Sequence, residues 1–313
     1  MLNVVLLLVC LIVGVVLRQI KLVPDDAHLT INQLLVAVFI PALTLLYIPD
    51  MHLTRQFWLP VLVPWLVFLI GLLVFGLFSR FGTQLDRSSL GSLQLTGGIS
   101  SVSFVGFPLF ELLYGKAGLA VGIVMSQAGT FLVAMTVGVA LASWHLAKQS
   151  PSGQQPSGRP SVKLILGNML RFPPFPVFLV AVVANLAGYR HPALVRELLE
   201  KISSPFSVLA LLSVGLQLRL RVSPEQQPNL LLGLSYKLLL APLLVFVLCR
   251  LWLGRHDYVA DLCILGSAIG PMNTAAILAQ RYGLNAPLAA QMVGLGIPLS
   301  FPVLFLLYYL MEH

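Results

Sequence analysis

The chain is a succession of long apolar runs separated by short polar intervals. Runs of roughly 17 to 25 residues recur along its length, and each, wound as an α-helix, is long enough to cross a hydrocarbon core of about 30 Å. Ten spans are read from this pattern: residues 2–17, 29–48, 57–79, 90–113 and 118–146, then 175–188, 202–220, 230–253, 258–280 and 287–310. The sixth is short for a full crossing, and the preceding stretch 162–170 is either a further helix leading in through Pro173, Pro174 and Pro176 or a proline-rich linker. Two spans are interrupted. GGISSVSFVGFPLF at 97–110 and GSAIGPMNTAAILAQRYG at 266–283 place glycine, proline and small polar residues in the middle of apolar sequence. A helix broken inside a bilayer leaves backbone N–H and C=O groups unpaired, which is tolerable only where protein or a water-filled cavity takes over their hydrogen bonds. Paired interruptions at matching places in two halves of a chain point to a transporter's binding site.

Composition agrees with a membrane protein. Of 313 residues 58% are hydrophobic and 10% charged, with a mean hydropathy of +0.92, whereas a soluble domain carries about 25% charged residues. The first span has no basic residue before its apolar core and no small-residue cleavage site after it, and Arg18 and Lys21 follow it. That order suits a retained helix with its N-terminus outside. Ten spans then put both termini outside the cytoplasm. The loops on the cytoplasmic side hold eleven basic residues, Arg159, Arg219 and Arg221 among them, against seven outside, Arg55 included. The net charge of +8 is accounted for by this orientation, without a nucleic-acid partner. Cys10, Cys249 and Cys263 fall in or at the ends of spans, without CxxC spacing or a histidine set, and read as small apolar fillers.

One linker is clear. KQSPSGQQPSGRPSVK, residues 148–163, is polar and cannot pack a core. It divides the chain into 1–147 and 164–313 with five spans on each side, so two copies of one unit would sit in the membrane in opposite orientations. Tyr114-Gly115 and Tyr282-Gly283 correspond at an offset of 168, and Pro41 and Pro205 at 164. The reading is an all-α polytopic membrane protein of ten transmembrane helices in two inverted five-helix repeats, with helices 4 and 9 broken and crossing.

Where a helix is broken at mid-membrane, the N-terminus of its second half presents free N–H groups and about half a positive charge, a field that suits a carboxylate. The break in the fourth span is expected between Ser101 and Pro108, because Gly106 relaxes backbone sterics and Pro108 lacks an N–H. In the ninth it is expected between Gly270 and Thr274, at Pro271. Ser101, Ser103, Asn273 and Thr274 are candidate hydrogen-bond partners of a carboxylate or a bridging water, or else bond their own helix and serve close packing. Lys237, well inside the eighth span, either pairs with an anionic substrate or a helix end, or is held structurally on carbonyls or in a wet crevice. Gln127 and Asn32 are read either as helix-to-helix hydrogen bonds or as substrate contacts. Glu111 and Asp261 are candidates for a coupling proton if buried. Trp58 and Trp252 read as interface anchors. No metal site or cofactor is implied, and GxSxG, HExxH and paired aspartates at active-site spacing are absent, which argues against an intramembrane enzyme. Paired broken helices suit alternating access better than a channel.

LIVGVVLRQIKLVPDDAHLTINQLLVAVFIPALTL, FVGFPLFELLYG, KLLLAPLL at 237–244 and AAILAQRYGLNAPLAAQMVGLGIPLSFPVL resemble, in order and over nearly the whole chain, the auxin efflux carrier family in its bacterial form. The resemblance implies the ten-helix inverted repeat within the wider group of bile acid:sodium symporters. It implies a scaffold from helices 1, 2, 6 and 7 and a mobile transport domain from helices 3–5 and 8–10. It further implies transport of organic acid anions, a bacterial inner membrane and a homodimer through the scaffold. The family commonly has Asn where this chain has Ser101 and an Asn aligned with Thr274, while this chain offers Asn273 one place earlier; both departures bear on which anion is carried. The expected activity is therefore a secondary or potential-driven carrier of a small carboxylate anion, its partners the bilayer and a coupling proton or sodium if any. The alternative is a sodium-coupled symporter of the bile-acid type.

Overall fold

In a computed structural model the described residues are 2–24, 26–51, 57–82, 85–149, 162–218 and 223–312. Most of the 148–163 linker, and Arg55, Arg159, Arg219 and Arg221, lie outside them. The described residues are helical throughout, save short connections and one isolated β-bridge. In chain order the helices are α1 (Leu2–Gln19), α2 (Ala27–Tyr47), α3 (Trp58–Phe81), α4 (Arg87–Gly98), α5 (Val102–Lys148), α6 (Val162–Arg171), α7 (Pro174–Leu186), α8 (Ala193–Gln217), α9 (Pro224–Trp252), α10 (Tyr258–Ala268), α11 (Asn273–Arg281) and α12 (Ala286–Glu312). Among the described residues six helices are long and apolar enough to cross a membrane, or up to seven if the bent pair α6 and α7 is one span. The protein is a multi-pass membrane protein.

Prolines shape several of these helices. A proline lacks an N–H and crowds the carbonyl four residues earlier, and a wide π turn redistributes the freed hydrogen bonds. Three π turns, Leu35–Phe39, Val102–Gly106 and Tyr236–Leu240, each end two residues before a proline, namely Pro41, Pro108 and Pro242. Stretch 162–170, open between linker and helix in the sequence, is helical as α6, and it meets α7 at a bend of 77° beside Pro173 and Pro174.

The helices pack in two groups. α1 lies along α8, where Gly14 and Gly215 face each other so closely that a Cβ on Gly14 would stand 2.4 Å from the Leu212 carbonyl oxygen. α2 packs on α8 and α7. In the second group α3 packs on α4, α5 and α10, and α12 on α4, α9, α10 and α11. The groups meet where Phe206 of α8 packs against Phe107 of α5 and Ser207 donates to Glu111 at 2.9 Å. α5 turns sharply at Gly115 (φ 60), and Gly283 after α11 is likewise left-handed (φ 65), so both Tyr-Gly pairs end on a glycine of positive φ.

Candidate functional site

α4 and α10 each begin on an aspartate cap. Asp86 accepts from the Ser89 N–H, and Asp257, 171 positions later, accepts from the N–H groups of Val259 and Ala260. Both helices then stop mid-protein, at Gly98 and Ala268, and the chain runs extended through 99–101 and 269–272 before α5 and α11 begin. The two extended segments lie antiparallel: Ser101 N–H donates to the Gly270 carbonyl at 2.9 Å, and Met272 N–H donates to the Ile99 carbonyl at 2.9 Å. Ser100 and Pro271, also 171 positions apart, face each other across this bridge. Pro271 therefore occupies a position where no N–H is required. The pairing satisfies backbone groups that a broken helix would otherwise leave stranded.

This geometry corrects one expectation. The break in the fourth span lies at 99–101 and shares only Ser101 with the expected 101–108 interval; Gly106 and Pro108 sit inside the helical α5, where the π turn absorbs the missing proline N–H. In the ninth span the extended segment holds Gly270 and Pro271, and Asn273 is the first residue of α11. Gly270 is required by space: a Cβ there would meet the backbone of α12, 2.6 Å from Ile297 Cα and 2.7 Å from the Gly296 oxygen.

Unlike α4 and α10, the half-helices that leave the crossing have no side-chain cap, at either Ser101 or Met272. Their first N–H groups keep the donor capacity and partial positive charge of an open helix N-terminus. Around them the predicted residues fall into three sets. Asn273 Nδ2 donates to Gln217 Oε1 at the end of α8, Gln217 Nε2 donates to the Ser213 carbonyl at 3.0 Å, and Ser213 Oγ donates to Asn32 Oδ1 of α2 at 2.6 Å. This polar chain links the crossing to the other helix group. Ser103 Oγ shares a 2.5 Å hydrogen bond with Ser126 Oγ in the second arm of α5. The neighbouring Gln127 is 1% exposed, and its Oε1 has no hydrogen-bond partner among the described residues. Lys237, on the π turn of α9, is 0% exposed and its Nζ donates to Ser100 Oγ at 2.5 Å. Ser101 is buried at the bridge and Thr274 half-buried at the start of α11.

The two acids are engaged elsewhere. Asp261 pairs with Arg250 and accepts from the Tyr114 hydroxyl at 3.0 Å, and Glu111 accepts from Ser207. Among the described residues no group of three His, Cys, Asp or Glu side chains is placed to hold a metal ion. Trp58 and Trp252 are exposed, and the three cysteines are free and buried. Sequence reasoning missed Ser100, Ser126, Ser213 and Gln217. Ser213 and Gln217, polar and four apart in the largely apolar second half of α8, 206–217, carried a usable signal.

A cavity of about 270 Å³ opens between the helix groups beside Tyr47, Asp50, Phe57, Lys116, Arg196 and Tyr258. At its rim Lys116 of α5 bonds Glu200 of α8 at 3.2 Å. An apolar groove of about 280 Å³ beside Leu66, Ile70, Leu244, Leu248 and Trp252 is made of the surface side chains of α3 and α9, several of them exposed.

Comparison of the sequence with known proteins gives a family match over nearly the whole chain. The sequence model of a family described as membrane transport protein matches residues 1–308. An uncharacterized transporter of Methanothermobacter thermautotrophicus is 24% identical over 298 residues, covering 94% of this chain and 92% of that protein. An uncharacterized transporter of Methanocaldococcus jannaschii is 20% identical over 300 residues, covering 93% and 92%.

Proposed function

The chain belongs to the membrane transport protein family, the auxin efflux carrier family that its motifs resemble, and on that premise we propose that it carries a small organic anion bearing carboxylate by elevator-type alternating access. The observation that carries this reading is the crossing: two uncapped half-helix N-termini start from one antiparallel bridge, in a protein whose other two half-helices are capped by aspartate. Open N-termini favour an anion and disfavour a cation.

The ten-helix inverted repeat is part of the proposal. It is supported by the equal 171-position spacing of the aspartate caps and the bridge partners, and by the left-handed glycines that end both Tyr-Gly pairs. α1, α2, α6, α7 and α8 would form the scaffold and the remaining helices the transport domain. Ser101, Ser103, Asn273 and Thr274 would bind the anion at the crossing, with Gln127 offering a buried amide from α5 and Asn32 acting through Ser213 and Gln217.

The Asn273 to Gln217 contact also suggests which state is seen. Gln217 is the last residue of α8, 12 residues beyond its middle at Pro205, or about 18 Å at 1.5 Å per residue. A crossing at that level sits toward the end of the scaffold where Arg18 donates to the Leu218 carbonyl. The distribution of basic residues assigns that end to the cytoplasm, with both termini on the other side of a bacterial inner membrane, so the transport domain stands inward. A homodimer through the scaffold goes with the family reading. An interior-negative potential contributes about 2.3 kcal/mol per charge per 100 mV to anion exit. Efflux then needs no coupling ion, whereas uptake does.

The test is ligand-induced thermal stabilisation of the purified protein across mono- and dicarboxylates, followed by counterflow of any stabilising acid in liposomes. A specific shift together with counterflow supports the reading. A folded protein that neither shifts with nor moves any acid of the panel overturns it.

A further inference from the structure

We infer that Lys237 is a built-in cation of the crossing, holding on the transport domain the positive charge that a cation-coupled carrier takes from solution. The inference rests on the carrier reading above and deepens it. A crossing of two broken helices has two kinds of end. α5 and α11 start there and present N–H groups; α4 and α10 stop there, at Gly98 and Ala268, and their last carbonyls give it a negative pole. In carriers of this architecture, carbonyl ends of that kind hold the coupling cation. Here Ser100, two residues past the end of α4, accepts a hydrogen bond from the Lys237 ammonium at 2.5 Å.

Lys237 stands among the helices of the crossing. Its π turn packs against α4, α10 and α12, the helices that frame the crossing. The side chain is wholly buried, and among the described residues it has no carboxylate partner. An ammonium buried without a countercharge is costly unless carbonyl dipoles or a bound anion stabilise it, and its hydrogen bond to Ser100 Oγ sets it two residues past the carbonyl end of α4.

The charge arithmetic has a consequence for the cycle. With a monocarboxylate bound, the transport domain moves across the membrane with no net charge; empty, it moves with the +1 of Lys237. Membrane potential then acts on the empty return and draws the domain toward a negative interior, where it meets cytoplasmic anion. Anion-for-anion exchange, in which the domain crosses loaded both ways, is insensitive to potential.

Two measurements test this. The first compares the thermal midpoint of the purified protein in sodium, potassium and choline chloride at equal ionic strength. Equal midpoints are expected, and a sodium-specific rise overturns the inference. The second measures homoexchange of a monocarboxylate in liposomes with valinomycin-set potentials. The natural protein and Lys237→Arg should exchange at rates that change less than about twofold over 100 mV, whereas Lys237→Gln, whose loaded domain carries −1, should change on the order of five- to tenfold if half the field is crossed before the barrier. A steep dependence in the natural protein overturns the inference even if Lys237→Gln does not fold. If no carboxylate is moved at all, the anion reading has failed, and the salt comparison still decides whether the crossing takes its cation from solution.

Discussion

At the residue scale the site depends on a few polar side chains whose partners are on other helices. Asn273 starts α11 and holds Gln217 of α8. Asn273→Ala removes an amide that the proposed function puts at the anion site, and one hydrogen bond of about 1.4 kcal/mol corresponds to tenfold. Apparent affinity for the transported acid should fall about tenfold while membrane insertion and yield stay normal; unchanged counterflow kinetics would remove Asn273 from the site. Gly270→Ala acts differently. Its Cβ would press on the backbone of Ile297 and Gly296, which cannot rotate away as a side chain can, so overpacking should cost about 1–3 kcal/mol and lower the thermal midpoint without ligand. A midpoint equal to the natural protein's would mean that α12 can move aside. Lys237 and Asn273 were legible in the sequence because isolated polar residues in apolar spans have few benign explanations. Ser100 was not, because nothing local separates it from Ser101 and Ser103. Only the register of the antiparallel bridge turns Ser100 toward Lys237 and leaves Ser101 to supply its N–H to Gly270.

At the element scale, caps and prolines decide where helices start and where they widen. Burial alone would raise the Asp257 carboxyl, but hydrogen bonds from Arg255 and from the Ala260 and Val259 N–H groups outweigh it and hold it below the usual carboxylate range. A carboxyl depressed in the folded state contributes stability that is full above its unfolded value of about 3.9 and is lost as pH falls through the folded value. Asp257→Ala should therefore lower the thermal midpoint at neutral pH by the loss of a cap, about 1 kcal/mol, and the gap from the natural protein should close toward acid. A gap that persists unchanged below pH 3 would assign the loss to packing. The position of the break in the fourth span shows where sequence reasoning stops at this scale. Gly106 and Pro108 are the strongest local breakers, yet helix continues through both, since a π turn accommodates the proline. The true break at 99–101 lies on ordinary residues, Ile-Ser-Ser, because its stability comes from hydrogen bonds to residues 170 positions away. In the ninth span Gly270 and Pro271 coincide with the extended segment, and there local and long-range preferences agree.

At the scale of the whole molecule, the proposed alternating access requires the two helix groups to change partners. The multi-span, apolar character was legible because it repeats along the chain, whereas ten spans were read and six helices, or up to seven, long and apolar enough to cross stand among the described residues; the relative displacement of the groups was not legible, since no local signal encodes it. Asn273 touching Gln217 and Glu111 touching Ser207 fix one displacement. A shift of the transport domain along α8 must break both. With buried Cys10, Cys249 and Cys263 replaced by alanine or serine, Gln217→Cys combined with Asn273→Cys should be joined by a short, reducible bis-methanethiosulfonate, which spans the gap that the longer Gln217 and Asn273 side chains fill. The cross-linked protein should bind a stabilising acid with a thermal shift but perform no counterflow, and reductant should restore transport. Either single cysteine variant, under the same reagent, should keep counterflow at saturating acid, Asn273→Cys with the weakened affinity expected of Asn273→Ala. Full counterflow through a protein cross-linked to completion would mean that α8 and the crossing travel together, and the division into a fixed scaffold and a moving domain would have to be redrawn with α8 on the moving side.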